Sequence, residues 1–308
     1  NILIPEENGG LGLDLLFASA VSQSLGEGVA TFPFLGPYVI APIAIKFGAS
    51  DEQKEKLFNE MSQNLISFGI GFSEYFGSRD SSGLSITNNT VTGRTLFVLD
   101  TDYASHVMLC DKKGQIGFVS LDSEGIEIID LTTVDKTRTY KEMSFENTPI
   151  EILDNTKSSS LSIEMALNAG RIITAADSLG ASQAMINKAV EYSKERKQFN
   201  RVIGSFQAVK HMCAEMTAEL EPCYSLVWHA AYSFDNSNKD SKLMACLAKS
   251  HISEVSKMVS KKATEVHGGM GFTDLLGLHF WFKRIGLNRH IPGSPEIVRE
   301  EAAKAQGL

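Results

Sequence analysis

The sequence contains few cysteines, and those it has follow no pattern. Four occur in 308 residues. Cys110, Cys213, Cys223 and Cys246 form no CxxC pair and no Cys/His spacing of the kind that binds zinc. Scattered thiols of this sort argue against a disulfide framework or a metal centre and are typical of a reducing compartment. We therefore predict a cytoplasmic protein without a bound metal.

Long apolar runs and an excess of positive charge are also absent. No segment reaches the roughly 18–20 apolar residues that a bilayer span needs. The chain starts at Asn1 without an initiator methionine or a signal pattern, so we expect a different natural start. The formal net charge of −8 argues against nucleic acid or an anionic membrane surface as the main partner. A few local Arg or Lys side chains could still hold a small anion.

Three stretches of different character make up the chain. Residues 1–62 read as short helices after a glycine-rich bend, with Ser50 as the expected N-cap of the third. Residues 63–155 carry β-branched and aromatic runs separated by turn signals, and residues 156–308 return to helical periodicity. The predicted fold class is α+β, with N-terminal helices, a central antiparallel β domain and a C-terminal four-helix bundle.

Turn signals divide the third stretch into helices. The break and the loop between its second and third helices are predicted at EPCYS (221–225) and DNSNKD (235–240). A fourth helical pattern, 273–289, ends in the segment RHIPGSPEIVRE. Two prolines in that segment flank Gly293 and Ser294 and therefore predict a rigid corner.

The first segment with chemical character is SKERKQFNRVIGSFQAVKH, residues 193–211. Arg196 and Gln198 are predicted at the end of one helix, and Gly204 and Ser205 at the start of the next. A basic side chain beside the free N–H groups of a helix start suits a phosphate or pyrophosphate. The alternative is a solvated corner between two helices, which the spacing alone favours.

The second segment is ATEVHGGMGFT, residues 263–273. Its glycines at 268, 269 and 271 allow a tight turn and a close approach of the backbone to a ligand or a neighbouring chain. The alternative is a helix C-cap followed by a loop, although one cap needs only one glycine. His267 by itself predicts a structural histidine rather than a catalytic one.

Together these segments resemble the signature of the acyl-CoA dehydrogenase family, which runs RxxFG, then a Gln, then Q-x-h-G-G-x-G-[FY]. The opening IPEENGGLGLD resembles the glycine element near the N-terminus of that family, and the helix–β–helix order matches its fold. The resemblance covers essentially the whole chain and implies further helices before the glycine element.

The resemblance implies an FAD enzyme that dehydrogenates the α,β bond of an acyl-CoA thioester. It also implies a tetramer with flavin sites shared between chains, and an electron-transfer flavoprotein as electron acceptor. Arg171 matches an arginine near the acyl-binding region, with an ion pair to a bundle acid such as Glu164 as the alternative. The residues that match flavin-binding positions are Phe97, Val98, Arg196, Gln198, Phe199, Gln207, Glu265, Gly268, Gly269, Ser294 and Glu296.

Several positions depart from the family pattern. The two places where the family carries its catalytic glutamate are occupied by Pro292 and Gly170, and neither residue can take a proton. Leu99 stands where a hydroxyl group usually supports the flavin, and SEYFGSRD (73–80) replaces the family's TEPGxGSD. Glu265 and Glu296 replace glutamines. The catalytic residue is therefore unknown from sequence.

The corner GSP and the segment LHFWFKR resemble a subgroup that acts on CoA thioesters of bulky substrates such as steroid side chains. Members of that subgroup can be heteromers in which one subunit type supplies the base. This resemblance predicts a partner subunit that lacks the base. Two alternatives stay open. One is a self-sufficient enzyme with a displaced base such as Asp177, about 10 Å along the helix from Gly170. The other is a non-catalytic binding or assembly protein.

Overall fold

The computed structural model divides the chain into two compact units. The first comprises Asn1–Ala18 and Phe32–Gly170, and the second comprises Ser19–Thr31 and Arg171–Leu308. The sequence-based division at residues 62 and 155 remains a prediction. No helix in the described part of the chain is both long and apolar enough to cross a bilayer. The residues described are 1–73, 75–76, 83–155, 159–237 and 239–308.

Short helices open the first unit. Helix α1 (Leu15–Glu27) begins in it, and a π-helical turn (Gly36–Ile40) leads into α2 (Ala41–Gly48) and then α3 (Asp51–Ser62). The Ser50 hydroxyl accepts the backbone N–H of Gln53 at 3.3 Å, which satisfies one free donor at the start of α3. The predicted N-cap is confirmed.

The β region of the first unit forms one sheet with the strand order β6-β7-β3-β1-β4-β5-β8, and β2 also pairs with β3. Most pairs are antiparallel, as predicted, but β1 and β4 run parallel. The loop 100–105 reverses the chain after β3, which is antiparallel to β1, so β4 must run in the direction of β1. The strands are β1 (Phe68–Gly71), β2 (Gly83–Thr87), β3 (Thr90–Leu99), β4 (His106–Cys110), β5 (Ile116–Ser120), β6 (Ile126–Leu131), β7 (Tyr140–Pro149) and β8 (Glu151–Ile152).

Long helices dominate the second unit. Apolar residues of α4, α5, α6 and α7, including Leu179, Leu220, Val259 and Ile285, form its core. The predicted helical bundle and the α+β fold class are confirmed. The elements are α4 (Ser159–Glu195), which begins in the first unit, the hairpin β9 (Lys197–Gln198) and β10 (Arg201–Val202), α5 (Gln207–Asp235), α6 (Ser241–Val266), α7 (Leu278–Asn288) and α8 (Pro295–Ala305).

Helices α1 and α4 cross at a pair of glycines in the second unit. A Cβ atom on Gly180 would stand 1.9 Å from the carbonyl oxygen of Gln23, and one on Gly26 would stand 2.0 Å from that of Asp177. No side chain fits at either position. The two backbones can therefore approach this closely only because both residues are glycine.

Two local predictions for this unit are wrong. Pro222 lies inside α5, so EPCYS is not a break. A proline in a helix costs about 3 kcal/mol, but Leu220 and Cys223 beside it are buried. Burial of one large apolar side chain returns about 1.5–3 kcal/mol. Gly204 and Ser205 do not start a helix either, because the short β9–β10 hairpin and a 3-10 turn (Ile203–Ser205) precede α5.

Candidate functional site

The corner between α7 and α8 is fixed by Arg171 of α4. The Arg171 guanidinium is 2% exposed. Its Nη1 and Nη2 donate to Glu301 at 2.8 and 2.7 Å, and its Nε donates to the carbonyl oxygen of Pro292 at 3.4 Å. Arg171 is thus ion-paired, as the structural alternative predicted, and Glu301 of α8 is a partner. It joins three segments of the second unit at the corner.

A second buried cation, Lys249 of α6, lies under the same corner. Its ammonium group donates to the carbonyl oxygens of Asn288 and Ile291, the latter at 2.6 Å, and to the hydroxyl of Thr174 at 3.3 Å. The role of Lys249 was not predicted from the sequence. The signal was present, because Lys249 interrupts an otherwise small and apolar helix face between the buried residues Ala248 and Ile252.

Asp177 is part of a buried polar network and is not a free carboxylate. Arg284 donates to its Oδ2 at 3.1 Å, and Asn288 donates to its Oδ1 at 2.5 Å. Arg284 also donates to the carbonyl oxygen of Ala30 at 2.7 Å. The Asp177 carboxylate is therefore engaged by a buried ion pair and a buried hydrogen bond within the bundle.

The corner brings Ser294 and Glu296 into hydrogen-bonding contact. Three hydrogen bonds lower the pKa of Glu296 to about 2. They come from the Ser294 side chain, from the backbone N–H of Glu296 itself and from the Arg289 side chain. Arg289 bridges Glu296 at 2.9 Å and Glu254 at 2.7 Å. Glu296 is therefore a surface anion held in its ionised form. Ser294 is partly exposed beside it.

In the first unit, Phe97 stands out by its backbone. The β3–β7 register shifts between Thr95 and Val98, and Phe97 has φ +53°. Positive φ is strained for a bulky residue, and such strain and bulges gather at functional sites. The Phe97 side chain is 39% exposed, whereas Val98 and Leu99 point into the core. The Phe97 ring is therefore accessible to a ligand, whereas Val98 is fully buried.

In the second unit, Phe199 has the same conformation. Phe199 and Asn200, at φ +53° and +60°, are the two turn residues of the β9–β10 hairpin. Positive φ at both positions is the pattern of a type I′ turn, which asparagine tolerates and phenylalanine does not favour. The Phe199 ring is 87% exposed. Arg196 and Gln198 are exposed beside it, and Gln207 is exposed at the start of α5.

The glycine segment after α6 is open. Gly268 has φ +58°, and a Cβ atom on Gly268 or Gly269 would meet no atom within 4 Å. Glu265 is exposed in the last turn of α6. His267, in contrast, is buried, stacks on Tyr192 and donates from Nδ1 to the carbonyl oxygen of Ala263 at 2.7 Å. Burial lowers the pKa of His267. Its contacts are those of a structural histidine.

The remaining predicted positions lie in α4, at the corner and in the first unit. Gly170 is buried within α4, and Pro292 and Gly293 are buried at the corner. Of SEYFGSRD, the residues Glu74 and 77–80 lie outside the described part of the chain. Ser73 is described, and its hydroxyl lies 2.8 Å from that of Thr95.

Comparisons with known proteins point to the acyl-CoA dehydrogenase family. Residues 161–307 match the family model for the acyl-CoA dehydrogenase C-terminal domain. The chain is 27% identical to a 3-(aryl)acrylate reductase of Clostridium sporogenes, over 88% of this chain and 77% of that protein. It is 26% identical to acyl-CoA dehydrogenase IpdE2 of Mycolicibacterium smegmatis, over 98% and 83%.

A solved structure agrees in fold. A variant of the steroid ACAD Tcur3481-Tcur3483 superposes with a TM-score of 0.87 at 21% identity, covering 99% of this chain and 84% of that one. The order of helices and strands, the glycine segments and these matches lead to one conclusion: residues 161–307 form an acyl-CoA dehydrogenase C-terminal domain, and the chain as a whole is similar to members of that family.

Proposed function

We propose that the chain is an FAD-dependent acyl-CoA dehydrogenase subunit that lacks the catalytic base and works with a homologous partner subunit. The observation that carries this proposal is the corner at residues 288–296. Its backbone is tied down by two buried cations, yet the position of the family's glutamate is Pro292. This combination supports a subunit that keeps the corner and lacks its proton acceptor.

The carboxylates around the corner support the same view. A base for an α-proton must be free to accept a proton and is usually tuned toward neutral pKa by desolvation. Glu301 is paired with Arg171, and Asp177 is paired with Arg284. Glu296 has a pKa of about 2 and is paired with Arg289. None of these three is suited to replace the missing glutamate.

The residues present fit an aromatic, anionic dinucleotide. Arg196 supplies a planar donor group for a pyrophosphate, and Phe199 supplies an exposed ring for stacking. The open backbone at Gly268 and Gly269 leaves room for close approach. In the first unit, Phe97 offers a ring on strained backbone. FAD, when bound, supplies the acceptor for the β-hydride of the thioester.

In this proposal the residues of this chain bind and orient FAD, and the partner subunit accepts the α-proton of the thioester. The residues that would hold the cofactor are Arg196, Gln198, Phe199, Gln207, Gly268 and Gly269, and Ser294 would border it at the corner. Arg171 holds the corner through Pro292 and Glu301. We expect a tetramer that combines the two subunit types, and an electron-transfer flavoprotein that reoxidises the flavin. The resemblance of the GSP corner and of LHFWFKR to the steroid-type subgroup supports a bulky acyl group.

The test begins with native co-purification and mass spectrometry, which report subunit types and flavin count together. The chain purified alone is then assayed with short, long and steroid-type acyl-CoA substrates. We expect no turnover, and turnover after co-expression with a sister subunit that carries the glutamate. Changing that glutamate to Gln in the sister should abolish activity, whereas Pro292→Ala in this chain should not. Turnover by the pure chain would support a displaced base instead, and absence of flavin from every preparation would support a non-catalytic protein.

A second candidate function is reduction of an unsaturated acyl thioester, the same bond change in reverse. The observation that favours it is the similarity to a 3-(aryl)acrylate reductase over 88% of this chain. Assaying the co-expressed complex in both directions, with an oxidising dye and with a reduced donor, separates the two. Faster reduction than oxidation under matched conditions would favour the second candidate.

A further inference from the structure

Lys249 is a charged residue in an almost fully buried position. It sits in the middle of α6, it is 1% exposed, and the residues around it on the helix are small or apolar. A buried ammonium group is unfavourable unless its N–H donors all find acceptors. The burial of Lys249 is therefore tolerated only through the acceptors that its ammonium group contacts.

The acceptors lie where the backbone lacks a donor of its own. In a continuing helix, the carbonyl oxygen of Asn288 would accept the N–H of residue 292. Residue 292 is a proline and has no N–H. Lys249 donates to Asn288 O in its place and to Ile291 O at 2.6 Å, so it caps the end of α7 from another helix.

The third contact connects this cap to α4. Lys249 Nζ donates to the Thr174 hydroxyl at 3.3 Å, and that hydroxyl donates to the carbonyl oxygen of Arg171. Arg171 in turn reaches Pro292 O and Glu301. The path of the corner is therefore fixed by two cations, Arg171 and Lys249. Arg171 belongs to the turn of α4 at residues 171–174, and Lys249 contacts that turn through Thr174.

We propose that Lys249 is a positioning residue for the flavin site, because its ammonium group fixes residues 288–294 and thereby sets where Ser294 stands. The part of the inference that concerns the flavin rests on the proposed function. The part that concerns the corner does not.

The test compares Lys249→Met, Lys249→Arg and the control Lys257→Met, an exposed lysine on the same helix. Hydrogen–deuterium exchange is measured on the full chain. We expect Lys249→Met to raise exchange in peptides covering 288–296 by about tenfold or more, with little change at the 197–205 hairpin. Lys249→Arg should restore most of the protection. Unchanged exchange at the corner, or an equal rise throughout the bundle, would overturn the proposal.

A second measurement reports the environment of bound FAD and the turnover rate. In the co-expressed complex, Lys249→Met should shift the visible absorption band of bound FAD and reduce turnover roughly 10- to 100-fold. A loss of this size is expected when residues that border a site are displaced. Lys249→Arg should recover both and Lys257→Met should change neither. An unchanged band and unchanged turnover in Lys249→Met overturn the flavin part. If wild-type preparations bind no FAD, the proposed function fails, while the exchange result still decides the role of Lys249 at the corner.

Thr174→Val covers the case in which Lys249→Met does not fold. It keeps the charge and removes one acceptor, so we expect a smaller rise in exchange confined to the same peptides. Folded Thr174→Val protein with an unchanged corner would count against the proposal.

Discussion

Arg171 donates to both carboxylate oxygens of Glu301, at 2.8 and 2.7 Å, across 130 residues of sequence. The arginine side chain is 2% exposed and the glutamate side chain 33% exposed. A bidentate pair of this geometry ties α8 to α4. Its energetic value comes mainly from what happens when one partner is removed, because an uncompensated buried charge is costly.

Glu301→Gln should therefore destabilise the protein. We expect a loss of about 1–3 kcal/mol in the free energy of unfolding, below the full value for a buried pair because water reaches part of Glu301. Urea unfolding measures it. The control is Glu300→Gln on the same helix, which removes only an exposed pair with Lys304 and should have no measurable effect. Equal effects of the two variants would contradict the prediction.

Gly180→Ala should be destabilising at the α1–α4 crossing. Its Cβ would overlap the carbonyl oxygen of Gln23, and backbone cannot move aside as a flexible side chain can. We expect a loss of about 1–3 kcal/mol by thermal or urea unfolding. Gly286→Ala in α7 is the control, because its Cβ would meet no atom within 4 Å, and it should be neutral or stabilising by about 0.5–1 kcal/mol. A neutral Gly180→Ala would show that the two helices are not in contact there.

Asp177→Asn separates a structural carboxylate from a displaced base. Asp177 and Arg284 are both buried, so the variant leaves a buried guanidinium without this carboxylate, and we expect a loss of about 3–5 kcal/mol in stability. Turnover per folded molecule in the co-expressed complex should stay the same. Asp274→Asn, at an exposed site, serves as the control and should change stability by less than about 0.5 kcal/mol. Unchanged stability with lost turnover would identify Asp177 as the base.

Glu296 should contribute to the acid dependence of stability. Its pKa is lowered from 4.5 to about 2 in the folded protein, so its stabilising contribution is present above its unfolded pKa and is lost as the pH falls toward 2. Glu296→Gln should lower the urea midpoint slightly near neutral pH at low salt, and the difference should vanish on acidification through this window. The effect should be small, because the group is exposed and salt screens it. A difference that persists at the lowest pH would have another origin.

Much of the fold was predictable because its signals are local. Helical and β periodicity gave the order of elements, and Ser50 was recognised as a cap from its own neighbours. The break at EPCYS failed because core packing of Leu220 and Cys223 outweighs the cost of Pro222 in α5. The β9–β10 hairpin was missed because two-residue strands are too short to show a period.

The site was only partly predictable, for a different reason. The aromatic and glycine positions could be named by resemblance, but the strain at Phe97 and Phe199 is a property of the folded backbone. The partners of Arg171 and Lys249 lie far away in sequence. Glu301 and Ile291 carry no local mark of their roles.

The cations under the corner have one more consequence. Lys249 and Arg171 hold residues 288–292 by their carbonyl oxygens, which every amino acid possesses. These contacts involve only the backbone of residues 288–292 and none of their side chains. Substitution of a side chain in this segment would therefore leave the acceptors of both cations in place, whereas loss of either cation would leave buried carbonyl oxygens without their donors.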